Sequence, residues 1–254
     1  MLGLFYLPVN AMAWGILGHR IVGEIASLYL SPQAKKEIAA ILGNETIAMS
    51  SNWADFIKSD TSFRYLDPWH YINLKPGLTR QQVKDYLRND TGVDAYTRVN
   101  FLVKELKRKD LDRGKQLFYL RLLIHITGDL SQPMHTARPE DRGGNDIEVL
   151  WFNTPSNLHR VWDSQLIDYQ QLSYTEYVKA INYPSKAQLN TWKQQPVSEW
   201  IIDSYQITEK LYAEIKQPAQ KLGYEYNFHH VNTLNEQLLK GGVRLAGLLN
   251  RIFI

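Results

Sequence analysis

The chain has 254 residues, of which 44% are hydrophobic and 22% are charged, so it can bury one sizeable core and needs no second domain. Its formal net charge of +3 is only mildly basic, which excludes a nucleic-acid-coating tail but is compatible with a phosphate-bearing substrate. Cysteine is absent, which excludes a disulfide framework and any thiolate metal site.

Residues 1–13 carry no charge and end in Ala11-Met12-Ala13, a pattern typical of a signal-peptidase site. Cleavage there would leave Trp14 as the first residue. A buried N-terminal strand is the alternative, because the segment lacks a basic start and its apolar run is short. We expect a signal peptide at 1–13, export of the mature domain 14–254 to the periplasm or the medium, and no membrane span, since no other run approaches the roughly 18 apolar residues required.

Apolar positions recur at helical spacing along most of the remaining chain. The predicted helical segments are residues 16–30, 32–42, 51–58, 79–87, 95–107, 115–128, 158–167, 197–215 and 229–253. Ser31 and Pro32 form a start signal for the second of these, and Gly43 forms its stop signal. Alternating apolar residues predict a strand at 146–151. The sequence therefore predicts a single-domain, mainly α-helical bundle with a small β-hairpin.

Two pairs of possible metal ligands repeat one spacing. His125 and Asp129 are four residues apart at the end of an apolar run, so on a helix they share a face, and His159 and Asp163 repeat the pattern. His135 lies on the loop between the pairs. A lone pair of this kind is more often hydrogen-bonded or capping than metal-binding, but five such residues in one stretch favour a metal site. Imidazole and carboxylate ligands without thiolates suit a catalytic zinc.

Two upstream stretches hold further candidates. Asp55 precedes Lys58 by one helical turn, so a carboxylate and an ammonium can face the same site, although a solvated surface position is the alternative for the lysine. His70 is flanked by aromatic residues in what we predict to be a short extended piece, a pattern that on its own more often means core packing. His19 gains interest only because it follows the expected new N-terminus at Trp14.

Together these stretches resemble the S1/P1 nuclease family of tri-zinc, single-strand-preferring nucleases. The matching motifs are WGxxGH at 14–19, WAD at 53–55, WHYIN at 69–73, HITGDLSQPMH at 125–135, GGN at 143–145, LHRVWD at 158–163 and GGVRLAGLLN at 241–250. The resemblance runs from residue 14 to the C-terminus. It implies a mainly α-helical fold, related to that of zinc phospholipase C, with three zinc ions at the bottom of a cleft.

The resemblance also implies which residues hold each ion. The first zinc is expected on Asp55, His70, His125 and Asp129, and the second on His135, His159 and Asp163. The third is expected on the amine and carbonyl oxygen of Trp14, on His19 and on Asp129, which would bridge two ions. All nine positions carry a suitable residue in this chain.

The reaction that the resemblance implies is hydrolysis of RNA and single-stranded DNA at the bond between the 3′ oxygen and phosphorus. The products are 5′-nucleotides, and 3′-nucleotidase activity on mononucleotides is expected as well. Asp55 would orient the attacking water, Lys58 would contact the phosphate, Tyr71 would stack on a base and Asn73 would hydrogen-bond its edge. The family expectation is a monomer with no stable protein partner.

Two alternatives remain open at this stage. A zinc phospholipase C shares the fold and the tri-zinc site, but its last ligand is typically Glu, where this chain has Asp163. A non-enzymatic helical module with structural zinc would close each site with four protein ligands, whereas His135, His159 and Asp163 make only three.

Overall fold

A computed structural model describes residues 14–254, so the predicted signal peptide at 1–13 lies outside the described residues. The α-helices are α1 Ile16–Leu28, α2 Pro32–Leu42, α3 Ile47–Ser50, α4 Trp53–Phe56, α5 Arg80–Arg88, α6 Ala95–Leu106, α7 Arg113–Asp129, α8 Leu158–Arg160, α9 Leu166–Asp168, α10 Tyr174–Ile181, α11 Lys186–Gln194, α12 Val197–Glu214 and α13 Tyr224–Ile252. The prediction of a mainly α-helical fold is confirmed. None of the helices in this described part has the length and hydrophobicity that crossing a membrane requires.

Helix α7 is the centre of the bundle. Every residue from 122 to 129 is buried, so this half of the helix has no solvent-facing side. A helix that is enclosed on all sides lies within a core, and α1, α6 and α13 pack around this one. The packing carries His125 and Asp129 into the interior, where polar side chains need partners.

Close packing between α1 and α13 explains part of the C-terminal motif. A Cβ atom added to Gly242 would lie 2.4 Å from the Cβ atom of Ile25, so the two helices cross at a distance that only glycine permits. This contact fixes α1, and with it His19, against the longest helix of the described chain.

The small sheet consists of β1 Glu148–Trp151, β2 Thr154–Asn157 and β3 Gln220–Leu222 in the order β2-β1-β3. The first two strands form the predicted hairpin, and Phe152 and Asn153 turn it with φ of 47° and 67°. The third strand pairs parallel to β1 and was not predicted, since three residues are too few to show alternation.

The segment from residue 51 to 71 differs from the prediction. Instead of one helix at 51–58, α4 ends at Phe56 and 3₁₀ turns follow at Ile57–Ser59 and Thr61–His70. The expected extended conformation is wrong for His70, which ends the second 3₁₀ helix, and right for Tyr71, which has φ −145° and ψ 165°. Asp60 starts this 3₁₀ helix, because its carboxylate accepts a hydrogen bond from the Ser62 amide at 2.9 Å.

The predicted helical segment at 158–167 is also interrupted. Between α8 and α9 lies a single π-helical turn, Val161–Gln165, in which the Leu166 amide donates to the Val161 carbonyl. Such turns are frequent at functional sites. Asn157 starts the segment by accepting a hydrogen bond from the Arg160 amide at 2.7 Å.

Helices α10 and α11 were not predicted, although each begins with a recognisable signal. Ser173 with Glu176, and Ser185 with Gln188, form reciprocal capping boxes at their N-termini. The two helices are short and mostly exposed, so their apolar periodicity is weak.

Candidate metal centre

The first ligand pair lies on one face of α7, as its spacing predicts. His125 Nδ1 donates to the carbonyl oxygen of Ser51 at 2.6 Å, which leaves Nε2 as the acceptor nitrogen. That Nε2 atom lies 3.4 Å from Oδ2 of Asp129. A backbone partner on one nitrogen and a carboxylate beside the other is the usual arrangement of a metal-binding histidine.

His70 and Asp55 reach the same point from other segments. Nδ1 of His70 lies 3.0 Å from Oδ2 of Asp129 and 3.0 Å from Nε2 of His125. Oδ1 of Asp55 lies 3.7 Å from the same His125 nitrogen. Several lone pairs therefore converge on a small buried volume. His70, His125 and Asp129 form one of the groups whose ligand atoms lie within 4.8 Å of one another.

Asp129 also faces a third histidine. Its Oδ1 atom lies 3.3 Å from Nε2 of His19, while its Oδ2 atom faces His70, so the two carboxylate oxygens serve different neighbours. The ring of His19 stacks on that of His125 at a centroid distance of 3.9 Å. His19, Asp55 and His125 form a second group within 4.8 Å.

The start of α1 is held against the segment that follows α7 and against the π-helical turn Val161–Gln165. Trp14 is fully buried, and its indole Nε1 donates to Ser131 Oγ at 2.9 Å. The amide of Gly15 donates to the carbonyl oxygen of Asp163 at 2.7 Å. The backbone of Trp14 is thus held close to segments that carry predicted ligands.

The remaining group consists of His135, His159 and Asp163. His135 Nδ1 donates to the carbonyl of His70 at 2.5 Å, and His159 Nδ1 donates to the carbonyl of Gly143 at 2.7 Å. Their Nε2 atoms lie 3.9 Å and 3.1 Å from the carboxylate of Asp163. Gly143 can present its carbonyl because it adopts φ 68°, a conformation that favours glycine.

The sequence interpretation missed Gln132, which holds this last group together. Its side-chain amide donates to Oδ1 of Asp163 and accepts a hydrogen bond from the Met134 amide at 2.5 Å. Gln132 is fully buried. The available signal was a polar residue inside a ligand-bearing motif, just before Pro133.

Burial shapes the protonation of these side chains. It is the main cause that raises the pKa of Asp129 to about 8 and lowers the pKa of His19 to about 4, and it holds the pKa of His70 well below its usual range. The protein alone therefore favours neutral forms. Buried atoms that lack a hydrogen-bond partner within the described residues include Asp55 Oδ2, Asp129 Oδ1 and Nε2 of both His19 and His135. Bound cations would satisfy these lone pairs, so the residues fit metal ions.

Lys58 lies at the edge of the first group. Its Nζ atom is 2.7 Å from Oδ1 of Asp55, as the one-turn spacing predicts. Burial opposes ionisation of this aspartate, but nearby His125 and Lys58 outweigh it and hold the pKa of Asp55 at about 2. The carboxylate is therefore ionised, and the ammonium points towards the site.

A cleft of about 650 Å³ opens above the groups. Its lining includes the predicted substrate residues Lys58, Tyr71 and Asn73. Three of the predicted ligands also reach it, namely His70, His135 and His159. Tyr71 is 40% exposed, so its ring is available to a ligand. The cleft also contains Arg64, Asp67, Arg142 and Asn145, to which the sequence interpretation gave no role.

Comparison with known proteins agrees with this geometry. A family model described as S1/P1 nuclease matches residues 14–254. Endonuclease 2 of Arabidopsis thaliana is 29% identical, over 98% of this chain and 94% of that protein. Nuclease P1 of Penicillium citrinum is 27% identical over 94% of this chain and 97% of its own length, and nuclease S1 of Aspergillus oryzae is 25% identical over 94% and 91%.

Proposed function

The chain belongs to the S1/P1 nuclease family and is a nuclease, and from this premise we propose that it hydrolyses RNA and single-stranded DNA at the bond between the 3′ oxygen and phosphorus, releasing 5′-nucleotides. We extend the proposal to 3′-nucleotidase activity on mononucleotides. The observation that carries it is the position of three His/Asp groups beneath a cleft that presents a lysine and an exposed tyrosine.

The proposed cofactors are three zinc ions. The proposed ligands are Asp55, His70, His125 and Asp129 for the first, His135, His159 and Asp163 for the second, and Trp14, His19 and Asp129 for the third. The buried lone pairs, the nitrogen and oxygen donors and the absence of thiolates support zinc. The two directions in which the Asp129 oxygens point support a bridging role for that carboxylate.

Bound zinc supplies an acidified water and a Lewis acid for the leaving oxygen. The protein side chains supply orientation. Asp55, ionised and held by Lys58, is suited to accept a hydrogen bond from the attacking water. The Lys58 ammonium is suited to neutralise charge that develops on the phosphoryl oxygens.

Base recognition is proposed for Tyr71 and Asn73. The exposed ring of Tyr71 offers a stacking surface, and the Asn73 amide offers a donor and an acceptor in the same cleft. Stacking tolerates every base but needs an unpaired one, which accounts for a preference for single strands.

The alternatives from the sequence lose their basis. The match to a nuclease family over residues 14–254, together with Asp163 at the last ligand position, argues against a phospholipase C. A non-enzymatic module is inconsistent with relatives that are named as nucleases and endonucleases. Three protein ligands in the His135 group also support a site that remains open to water.

Export and a monomeric state complete the proposal. The Ala-x-Ala pattern before Trp14 supports removal of residues 1–13 and release to the periplasm or the medium. We propose that the mature enzyme works as a monomer without a stable protein partner.

The decisive experiment combines metal analysis with product analysis on protein that starts at Trp14. We expect about three zinc ions per chain and cleavage of RNA and single-stranded DNA to 5′-phosphorylated ends. Chelation should abolish the activity and zinc should restore it. The variant Asp129→Asn should be inactive and bind less zinc, because the Asp129 carboxylate faces His19 with one oxygen and His70 with the other. Hydrolysis of phosphatidylcholine vesicles without nucleic-acid cleavage would overturn the proposal.

A further inference from the structure

One wall of the cleft is the 3₁₀ helix Thr61–His70, and its repeat places three polar side chains in a row. In a 3₁₀ helix with three residues per turn, side chains three positions apart lie directly above one another. Arg64, Asp67 and His70 follow this spacing, and all three line the cleft. The helix therefore presents a guanidinium, a carboxylate and a predicted metal ligand in one line.

Arg64 is the cation of this cleft that forms no ion pair within the described residues. Lys58 pairs with Asp55 at 2.7 Å, and Arg142 pairs with Asp146. The guanidinium of Arg64 is exposed and makes no hydrogen bond or ion pair with any residue in the range 14–254. An exposed, unpaired guanidinium that lines the proposed substrate cleft is available for a phosphate.

The spacing along the helix indicates which phosphate this would be. His70 follows Arg64 by six positions, which at a rise of about 2 Å per residue amounts to roughly 12 Å along the helix axis. Successive phosphates on a stacked strand advance by about 3.4 Å along the axis, so this length spans roughly three nucleotides, and fewer if the strand is extended. This spacing along one face of the helix places Arg64 nearer to a neighbouring phosphate than to the one beside His70.

We propose that Arg64 and Asp67 form a strand-extension subsite, which rests on the proposed nuclease function. Arg64 binds a backbone phosphate two or three nucleotides away from the scissile bond. Asp67 lies between the two phosphate positions and repels a phosphate there. A sugar hydroxyl or a base amino group, which can donate to a carboxylate, is favoured beside it instead. The row thus sets the register of a longer strand.

The test compares substrates that have one phosphate with substrates that have many. Values of kcat/KM are measured on a dinucleoside monophosphate and on a ten-nucleotide single strand at several salt concentrations. Arg64→Ala should lower kcat/KM on the ten-mer about tenfold and leave the dinucleoside monophosphate unchanged. The dependence of log(kcat/KM) on log salt should become shallower by about 0.7, the value for one phosphate contact on a single strand.

Two further variants separate a specific contact from general electrostatics. Lys109→Ala removes the same charge from an exposed turn that lies outside the cleft lining, and it should change neither substrate. Asp67→Asn should raise kcat/KM on the ten-mer at low salt, because it removes the repulsion between the two phosphate positions.

Four results distinguish failure of the subsite from failure of the function. A wild-type protein that cleaves neither substrate overturns the proposed function itself. Active wild type with equal losses on both substrates in Arg64→Ala would place Arg64 at the scissile phosphate and overturn the subsite. A ten-mer rate that is unchanged in Arg64→Ala, or lowered equally by Lys109→Ala, would overturn it as well.

Discussion

The side-chain amide of Gln132 donates a hydrogen bond to the carboxylate of Asp163, 31 residues further along the chain. The same side chain accepts a hydrogen bond from the Met134 amide, next to His135. Gln132 therefore fixes the distance between two of the predicted ligands of one ion. It also occupies one carboxylate oxygen, which leaves Oδ2 to face His159.

The first prediction is that Gln132→Met weakens zinc binding at the His135 group by about 10- to 100-fold, the usual cost of losing a partner that orients a ligand. Chelator-competition titration measures this loss independently of activity. Gln170→Met is the matched control, because Gln170 also bridges two segments through its amide but contacts none of the predicted ligands. Equal zinc affinity in the two variants would show that the Gln132 contact has no role in ion binding.

The second prediction concerns Gly128, which lies on α7 between predicted ligands. A Cβ atom there would lie 2.8 Å from Nδ1 of His19. Gly→Ala in a helix ordinarily stabilises by about 1 kcal/mol. We expect Gly128→Ala to lower the melting temperature instead, and to reduce zinc content, because His19 must move.

Gly114→Ala on the same helix serves as the control for this substitution. There the added Cβ atom would meet only the exposed Asp112 side chain, at 3.3 Å. The control should be neutral or stabilising. If the two variants melt at the same temperature with full zinc content, the tight contact with His19 is unimportant.

The third prediction is that Tyr71→Ala raises the Michaelis constant for single-stranded substrates. Stacking on an aromatic ring contributes roughly 1 to 3 kcal/mol per base, so the increase should be about 5- to 150-fold. Tyr71→Phe should retain most of the affinity, because it keeps the ring. Tyr183→Ala, at a tyrosine that is 81% exposed outside the cleft lining, should have no effect. An unchanged constant in Tyr71→Ala would mean that the base binds elsewhere.

The sequence was sufficient wherever the site depends on local spacing. His125 and Asp129, like His159 and Asp163, are neighbours because of helical geometry alone. His70, in contrast, meets Asp129 across 59 residues, and no periodicity encodes such a contact. That contact was expected only because of the family resemblance.

Residues whose role depends on an irregular backbone could not be predicted. Arg64 and Asp67 share a face with His70 because the chain before His70 is a 3₁₀ helix. We expected His70 in an extended piece, in which side chains three positions apart lie on opposite faces. Strand β3 pairs with β1 from a distant part of the chain and has no pattern of its own. In each case the tertiary structure determines the local conformation.

The fourth prediction concerns the stability of the α6 N-terminus. Burial, together with the neighbouring carboxyl group of Asp90, raises the pKa of Asp94 to about 6, and Asp90 Oδ2 is buried with no hydrogen-bond partner among residues 14–254. Because this folded-state pKa lies above the unfolded value of about 4, protonated Asp94 contributes fully to the free energy of unfolding below about pH 4. This contribution is lost as the pH rises through 6.

Asp90→Asn should reduce this loss, because an amide can donate to the Asp94 carboxylate, although the burial of Asp94 is unchanged. We expect the variant to be more stable than wild type by about 1 kcal/mol at pH 7, after allowance for solvent screening, and equally stable near pH 4. Thermal unfolding at both pH values measures the difference. Asp85→Asn, the same change at a partly exposed position on α5, is the control and should show no such difference between the two pH values. A constant difference between pH 4 and 7 would contradict the coupling.

The last prediction is that full activity requires removal of residues 1–13. A zinc ligand must offer a lone pair, and the nitrogen of a peptide bond has delocalised its lone pair into the carbonyl, so an uncleaved Trp14 offers no nitrogen donor. A free amine offers one. The contacts of Trp14 with Ser131 and of Gly15 with Asp163 hold this backbone close to the ligand-bearing segments, which explains why a bulky residue follows the Ala-x-Ala pattern.

Protein that starts at Met1 should therefore bind one zinc ion fewer than protein that starts at Trp14, and it should release 5′-nucleotides more slowly. The groups built on His125 and on His135 should keep their ions, because their side chains do not depend on the N-terminus. Metal analysis of both forms, each loaded with zinc, separates the loss of one ion from a general folding defect.

A third form with one Gly inserted before Trp14 has a free amine at the wrong position, so it should behave like the uncleaved protein. Equal zinc content and equal rates in all three forms would exclude a role for the Trp14 amine, because only one of them carries it on Trp14 itself.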